Sequence, residues 1–227
     1  MKFADALALF NRKERYWLLR NALGPCADAL DAQFREQLCA EIRVPIPEDA
    51  WWAMDYHLDW LVGALHLVDY GRDDGTVRSN PDSLVAGNQE DLDLVVAFDE
   101  TLILIEAKVA TSWGNGQIGS KIKRIDALLD CQARSGGFVP RTFLVLTSPK
   151  RPEGLQRPEH KAWPRWMLNC QTKKPYWIDM DISRDRRTVV DGETEFRKVV
   201  RCADGSGTVG KAGSHWKVVR SNVAARR

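Results

Sequence analysis

In the run Leu102 to Val109, LILIEAKV, two charged side chains interrupt an otherwise aliphatic segment. Side chains alternate along a strand, so Glu106 and Lys108 project from one face and Ile105 and Ala107 from the other. A carboxylate and an ammonium set among leucines and isoleucines cost free energy unless they pair with each other or bind an ion. Upstream, Asp93 interrupts the run LDLVVAF (92–98) in the same way. A hairpin turning near Asp99 to Thr101 brings Asp93 roughly opposite Glu106. Two facing carboxylates can hold Mg²⁺, for which Mn²⁺ is expected to substitute; the ion neutralises a scissile phosphate and lowers the pKa of a bound water. A neighbouring lysine can orient that water or stabilise the charge that develops on phosphorus. The chemistry these residues suggest is phosphodiester hydrolysis. It needs no histidine, and the four histidines here, at 57, 66, 160 and 215, are scattered.

The elements that must position these groups follow from periodicity and punctuation. Asn11 to Leu23 predicts a helix ending at Gly24-Pro25, and Ala27 to Ile42 a second, with Leu30, Phe34, Leu38 and Ile42 four apart and Pro45 and Pro47 blocking continuation. Asp49 to Val68, apolar nearly all round, predicts a third helix. Asp69 to Asn88 reads as a loop, with a short strand near Thr76 to Arg78. Leu92 to Phe98 and Leu102 to Val109 predict a hairpin of buried strands. Gln117 to Cys131 predicts a helix with Ile118, Ile122, Ile125 and Leu129 on one stripe, and Thr142 to Thr147 a further strand. Helices flanking a central mixed sheet make this an α/β chain.

Asp93, a hairpin turn, then Glu106-Ala107-Lys108 after the apolar run Leu102 to Ile105 resembles the PD-(D/E)XK nuclease superfamily, the restriction-endonuclease-like proteins. The resemblance covers roughly Asp49 to Thr147. Leu92 stands where the motif's name has proline. The resemblance implies an α-β-β-β-α-β core, a divalent cation, and cleavage of DNA with Asp93 and Glu106 as metal ligands and Lys108 as the catalytic lysine. It divides the chain into an N-terminal helical segment (1–48), a nuclease core (49–149) and a small basic C-terminal β extension (150–227). Small single-domain members of that superfamily often pair to cut both strands, which makes a homodimer a state to test. A rival reading from another class is a catalytically silent nuclease-fold module that binds nucleic acid or a partner protein. In a third, Glu106 and Lys108 form a purely structural salt bridge.

Other residues extend the candidate site. Gln117 and Lys121 lie four apart on one helix face with Arg124 three further on, and can point back to the sheet or to a phosphate; the alternative is a solvated face. Asp91 shares the face of Asp93 and is either an accessory ligand or the true one, Asp93 being favoured because apolar residues follow it at once. In the predicted third helix, Asp55 and Asp59 are one turn apart, with His57 between them on another face. Asp59 is a candidate third metal contact; a helix cap or a pair with a neighbouring arginine is the structural alternative. Glu36 and Glu41 are weaker candidates on positions that read as solvent-facing.

Charge supports an anionic partner. The net charge of +2 hides an asymmetry: residues 1 to 149 hold 15 Lys and Arg against 22 Asp and Glu, and residues 150 to 227 hold 18 against 9. A basic C-terminal third can neutralise phosphates, or merely keep the protein soluble. Trp163, Trp166 and Trp177 stand among Arg157, Lys161, Arg165, Lys173 and Lys174, where they can pack a small lobe or stack on bases, while Trp51, Trp52 and Trp60 read as core. Five scattered cysteines without a CxxC pair argue against a disulfide framework or zinc knuckle and for reduced, mostly buried thiols. With no run long enough for a membrane span and no secretion signal, the expected location is the cytoplasm.

Overall fold

The computed structural model describes residues 1–11, 13–71, 77, 80, 83–87, 90–109, 113, 116–151, 163–182, 189–190, 193–194, 196–209 and 215–221. Three helices come first: α1 (Phe3–Phe10), α2 (Glu14–Leu23) and α3 (Ala32–Ile42). They are followed by β1 (Trp51–His57), α4 (Leu58–Tyr70), β2 (Asp91–Phe98), β3 (Thr101–Ala107), α5 (Gly116–Ser135), β4 (Arg141–Ser148) and β5 (Tyr176–Asp179). The five strands form one mixed sheet in the order β1-β2-β3-β4-β5. β2 is antiparallel to both β1 and β3, and β4 and β5 run parallel to β3. Beyond it lie two small antiparallel pairs, β6 (Val189–Val190) with β7 (Glu193–Thr194), and β8 (Phe196–Cys202) with β9 (His215–Ser221).

The centre of the sheet is where the leucine, isoleucine and valine runs are densest. Leu102, Ile103, Leu104 and Ile105 of β3 are buried on both faces, as are Val95, Val96 and Ala97 of β2 and Leu144 to Leu146 of β4. Each such aliphatic side chain contributes about 1.5–3 kcal/mol on removal from water, so this three-strand unit is the stable platform on which β-strand ends can carry polar groups. A two-residue turn at Asp99 and Glu100 joins β2 to β3, Asp99 adopting the positive φ of 47° that a tight hairpin demands. Ile118, Ile122, Ile125 and Leu128 seat α5 on the core, with Leu129 only partly buried.

One predicted element was of the wrong type. Residues 49 to 68 do not form a helix throughout: Trp51–His57 is the edge strand β1, and helix begins only at Leu58. An apolar segment without polar contrast carries no usable period, and the Trp51, Trp52 and Tyr56 side chains favour a pleated surface. Trp52 is buried, while Trp51 and Trp60 pack partly buried against the core. From α3 to β3 the chain therefore runs helix, strand, helix, strand, strand, the strand preceding β2 being β1. Of the strand expected near Thr76 to Arg78, Thr76 and Arg78 lie outside the described residues, and Val77 is exposed and in no strand.

The sheet also crosses the expected boundary at residue 149, since its fifth strand comes from 176–179. Glu41 of α3 anchors that strand by accepting hydrogen bonds from Trp177 N–H at 3.3 Å and from the Asn169 side-chain amide at 3.3 Å. At the other side α1 crosses α4 so closely that a Cβ on Gly63 would stand 2.6 Å from the Phe10 ring, and Tyr56 donates its hydroxyl to Leu7 O at 3.0 Å. Cys39, Cys131, Cys170 and Cys202 are free thiols, but of these only Cys202 is buried and Cys170 is exposed, so burial was overestimated. Among the described residues no helix is long and apolar enough to cross a membrane.

Candidate active site

The main-chain ladder between β2 and β3 runs from Phe98↔Thr101 to Leu94↔Ile105. One step further along that register sets Asp93 directly beside Glu106, where opposed Cβ atoms lie roughly 4.5–5.5 Å apart. There the ladder changes character. The Ala107 N–H takes the Asp93 side chain, Oδ2 at 2.6 Å, as its acceptor, while Lys108 N–H turns to Thr147 O of β4 at 2.9 Å. The two carboxylates thus stand at the point where the hairpin gives up main-chain pairing.

Glu106 is 3% exposed. Burial pushes its carboxyl up to about 7, and the charge of Asp93 adds to this; Lys121 and then Lys108 act in the opposite direction. Lys121 Nζ, reaching from α5, donates to Glu106 Oε1. The helix face holding Lys121 is therefore turned to the sheet rather than solvated. Gln117 lies in the first turn of α5, and its side chain falls outside the described residues.

Arg124, one turn beyond Lys121, also faces inward but belongs to a different cluster. Its guanidinium donates to Asp59 Oδ1 at 2.5 Å, to Glu90 Oε2 at 2.8 Å and to Leu84 O at 2.9 Å. Asp59, in the first turn of α4, further accepts the N–H groups of Ala86 at 3.0 Å and Gly87 at 2.8 Å. Burial acts upward on the Asp59 carboxyl, but these donors outweigh it and hold the group below the ordinary aspartate range. Asp59 is thus committed to an arginine and to loop backbone, the structural alternative considered for it. Asp55 is not one helical turn away, as expected, but on β1, with a positive φ of 51° and Arg15 Nε 3.1 Å from its Oδ2.

Asp91 begins β2 opposite His57 at the end of β1. Its carboxylate lies 2.7 Å from Lys13 Nζ and 2.5 Å from His57 Nδ1, and the His57 ring meets Trp60 edge to face with centroids 4.3 Å apart. Two protein cations or donors therefore already surround Asp91, whereas among the described residues Asp93 accepts from one backbone N–H. Sequence reasoning missed Lys13 and Arg15: both come from the helical N-terminus, and no local pattern signals a partner some 78 positions away for Lys13. Glu36 is exposed. In the C-terminal part, Trp166 donates to Asp126 Oδ1 at 3.1 Å and Trp177 to Ser148 Oγ at 3.1 Å, both packing against the core; Arg157 and Lys161 lie outside the described residues.

The donor set tests whether a divalent cation fits. Asp93 and Glu106 offer only carboxylate oxygens, the ligands of a hard cation. Among the described residues no three His, Cys, Asp or Glu side chains gather into a cage. Mg²⁺ commonly takes one or two carboxylates from a protein and fills its other positions with water and phosphate oxygens, so a pair is a sufficient protein contribution. A buried carboxyl raised to about 7 is also one that an added positive charge would hold ionised. No family model, no curated protein and no solved structure matches this chain.

Proposed function

We propose that this chain is a Mg²⁺-dependent nuclease that hydrolyses phosphodiester bonds, with DNA as its substrate, built on a core resembling that of the PD-(D/E)XK enzymes. The observation that carries the reading is the pair Asp93 and Glu106 at the end of the β2–β3 ladder, with Lys121 on Glu106 and the charge of Lys108 acting on it. Element order lends partial support: α3, β1, β2, β3, α5 and β4 come in the order that the resemblance implies, with α4 inserted between β1 and β2. Asp93 and Glu106 would hold the ion, which when bound neutralises the phosphate and acidifies a water. The Ala107 N–H fixes the rotamer of Asp93. Lys121 donates to Glu106 and, together with the charge of a bound cation, would favour the ionised form of a carboxyl that burial otherwise pushes up to about 7. Lys108, following Glu106 by two residues, supplies the ammonium that orients the attacking water or stabilises charge on phosphorus.

The test uses supercoiled plasmid, circular single-stranded DNA and RNA, each with Mg²⁺, Mn²⁺ or EDTA. Cation-dependent cleavage of DNA is expected, reduced by about 10²-fold or more in Asp93→Asn and in Lys108→Ala while both variants keep the wild-type melting temperature. No cleavage of any substrate in either cation, or cleavage indifferent to both substitutions, would sink the reading.

A further inference from the structure

The ribbon of β8 and β9 forms a sheet of its own. Its register sets Val199 against Val218 and Arg201 against Trp216. Opposed residues share a face, so these four make one strip. Val199 is 66% exposed, Trp216 68% and Val218 53%, and Arg201 is exposed. The other face differs, with Val200 and Val219 half-buried, Cys202 buried and Lys217 Nζ donating to Gly207 O at 2.7 Å. Across both strands there are five Lys and Arg and no Asp or Glu.

Leaving a tryptophan and two valines in water forgoes the burial that stabilises the rest of the chain. A second copy of the ribbon would cover the apolar strip, but it would bring another five positive charges onto the same five, which opposes such pairing. A polyanion has the complementary charge. An aromatic ring flanked by cations binds the exposed face of a nucleic-acid base, and that face is available in a single strand but closed by stacking in a duplex. We propose that this strip of the β8–β9 ribbon is a stacking platform for single-stranded nucleic acid, Trp216 taking a base and Arg201 the backbone beside it. The identity of the polyanion as nucleic acid rests on the nuclease reading; the location and the stacking do not.

The experiment measures fluorescence anisotropy of a labelled oligothymidylate of about twenty nucleotides and of a duplex of equal length, in EDTA so that cleavage plays no part. Trp216→Leu keeps the apolar bulk and removes the extended π-face; Trp216→Phe restores a smaller one. The single strand is expected to bind more tightly than the duplex, with affinity falling about five- to a hundredfold in Trp216→Leu and staying within about threefold of wild type in Trp216→Phe. Equal binding by wild type and Trp216→Leu overturns the platform, as does equal loss in both variants. Binding of wild type to anionic phosphatidylglycerol vesicles but not to oligothymidylate overturns it too, in favour of a lipid surface. Because binding is read without cation, absence of cleavage elsewhere would remove the nuclease reading and leave this result standing, and the converse also holds.

Discussion

Helix α5 presents two cations one turn apart, Lys121 and Arg124, and each meets a carboxylate, yet the two carboxylates are driven in opposite directions. At Glu106, burial dominates, Asp93 adds to it, and one ammonium with a second nearby does not compensate, so the carboxyl rises to about 7. At Asp59 burial acts the same way, but two backbone N–H groups and a guanidinium turn the balance and hold the carboxyl below its ordinary range. The difference has two parts: the Glu106 side chain is 4% exposed against 19% for Asp59, and a planar guanidinium and fixed amides reach several lone pairs of Asp59 while an ammonium on a flexible stem reaches one of Glu106. Asp59 with Arg124 is a joint completed within the chain. Glu106 is under-compensated, the electrostatic condition in which a carboxylate takes up a further cation or a proton.

The largest effect that would break this comparison lies at the completed joint. Arg124 ties α5 to the first turn of α4 and to Glu90 at the entry of β2, so Arg124→Ala leaves two carboxylates without their cation. Removal of one partner from such a network costs about 3–5 kcal/mol, and urea unfolding of the metal-free protein is expected to show a loss in that range with an unchanged slope. A loss under about 1 kcal/mol would mean that the joint is ornamental and that the contrast with Glu106 has no structural meaning.

A somewhat smaller effect, of opposite sign, is expected at Glu106. In the unfolded chain a glutamate titrates near 4.5, in the fold near 7. Between those values the folded protein holds a proton that the unfolded chain has released, so metal-free stability falls as pH rises through this window and is level above it. The cost of ionising the buried group is on the order of 3 kcal/mol. Glu106→Gln in EDTA is therefore expected to be more stable than wild type at pH 8 by up to that amount, the advantage fading toward pH 4.5, even as cleavage is lost. A variant less stable than wild type at pH 8 would instead make Glu106 and Lys121 an ordinary stabilising salt bridge, a structural role for Glu106 of the kind the sequence offers with Lys108.

These two carboxylates were not equally legible in the sequence. Glu106 was marked by its neighbours: a charge amid LILI on a strand has few explanations, and the hairpin around Asp99 set Asp93 against it by simple counting. Lys121 followed from helical spacing. Asp59 was noticed for a similar reason, a charge between Leu58 and Trp60, but its partners are the backbone of Ala86 and Gly87 and Arg124 of α5, and local pattern does not report which distant donors arrive. The same limit explains β1. An apolar run reads alike as buried helix and as strand until the sheet that recruits it is known, and that misreading placed Asp55 beside Asp59 instead of across from β2. Nor did composition show that β5 would leave the basic extension to join the central sheet, because its four residues are claimed by pairing with β4 rather than by any period of their own.

The smallest expected effect completes the series at Asp55, whose carboxylate is 16% exposed while its partner Arg15 is 70% exposed. The pair lies 3.1 Å apart at the edge strand, on a residue with φ 51°, a conformation that aspartate tolerates better than most side chains. With water on the arginine side, the attraction is screened and holding a long side chain in place offsets much of it, so Arg15→Ala is expected to cost less than about 1 kcal/mol and the cost to shrink further in high salt. Were the loss instead to approach that of Arg124→Ala and persist in salt, Asp55 would be a carboxylate that depends on its cation as Asp59 does. Depth of burial of the carboxylate alone, rather than the number and exposure of its donors, would then decide which acids at this end of the sheet are structural, and Glu106 would lose its claim to be different in kind.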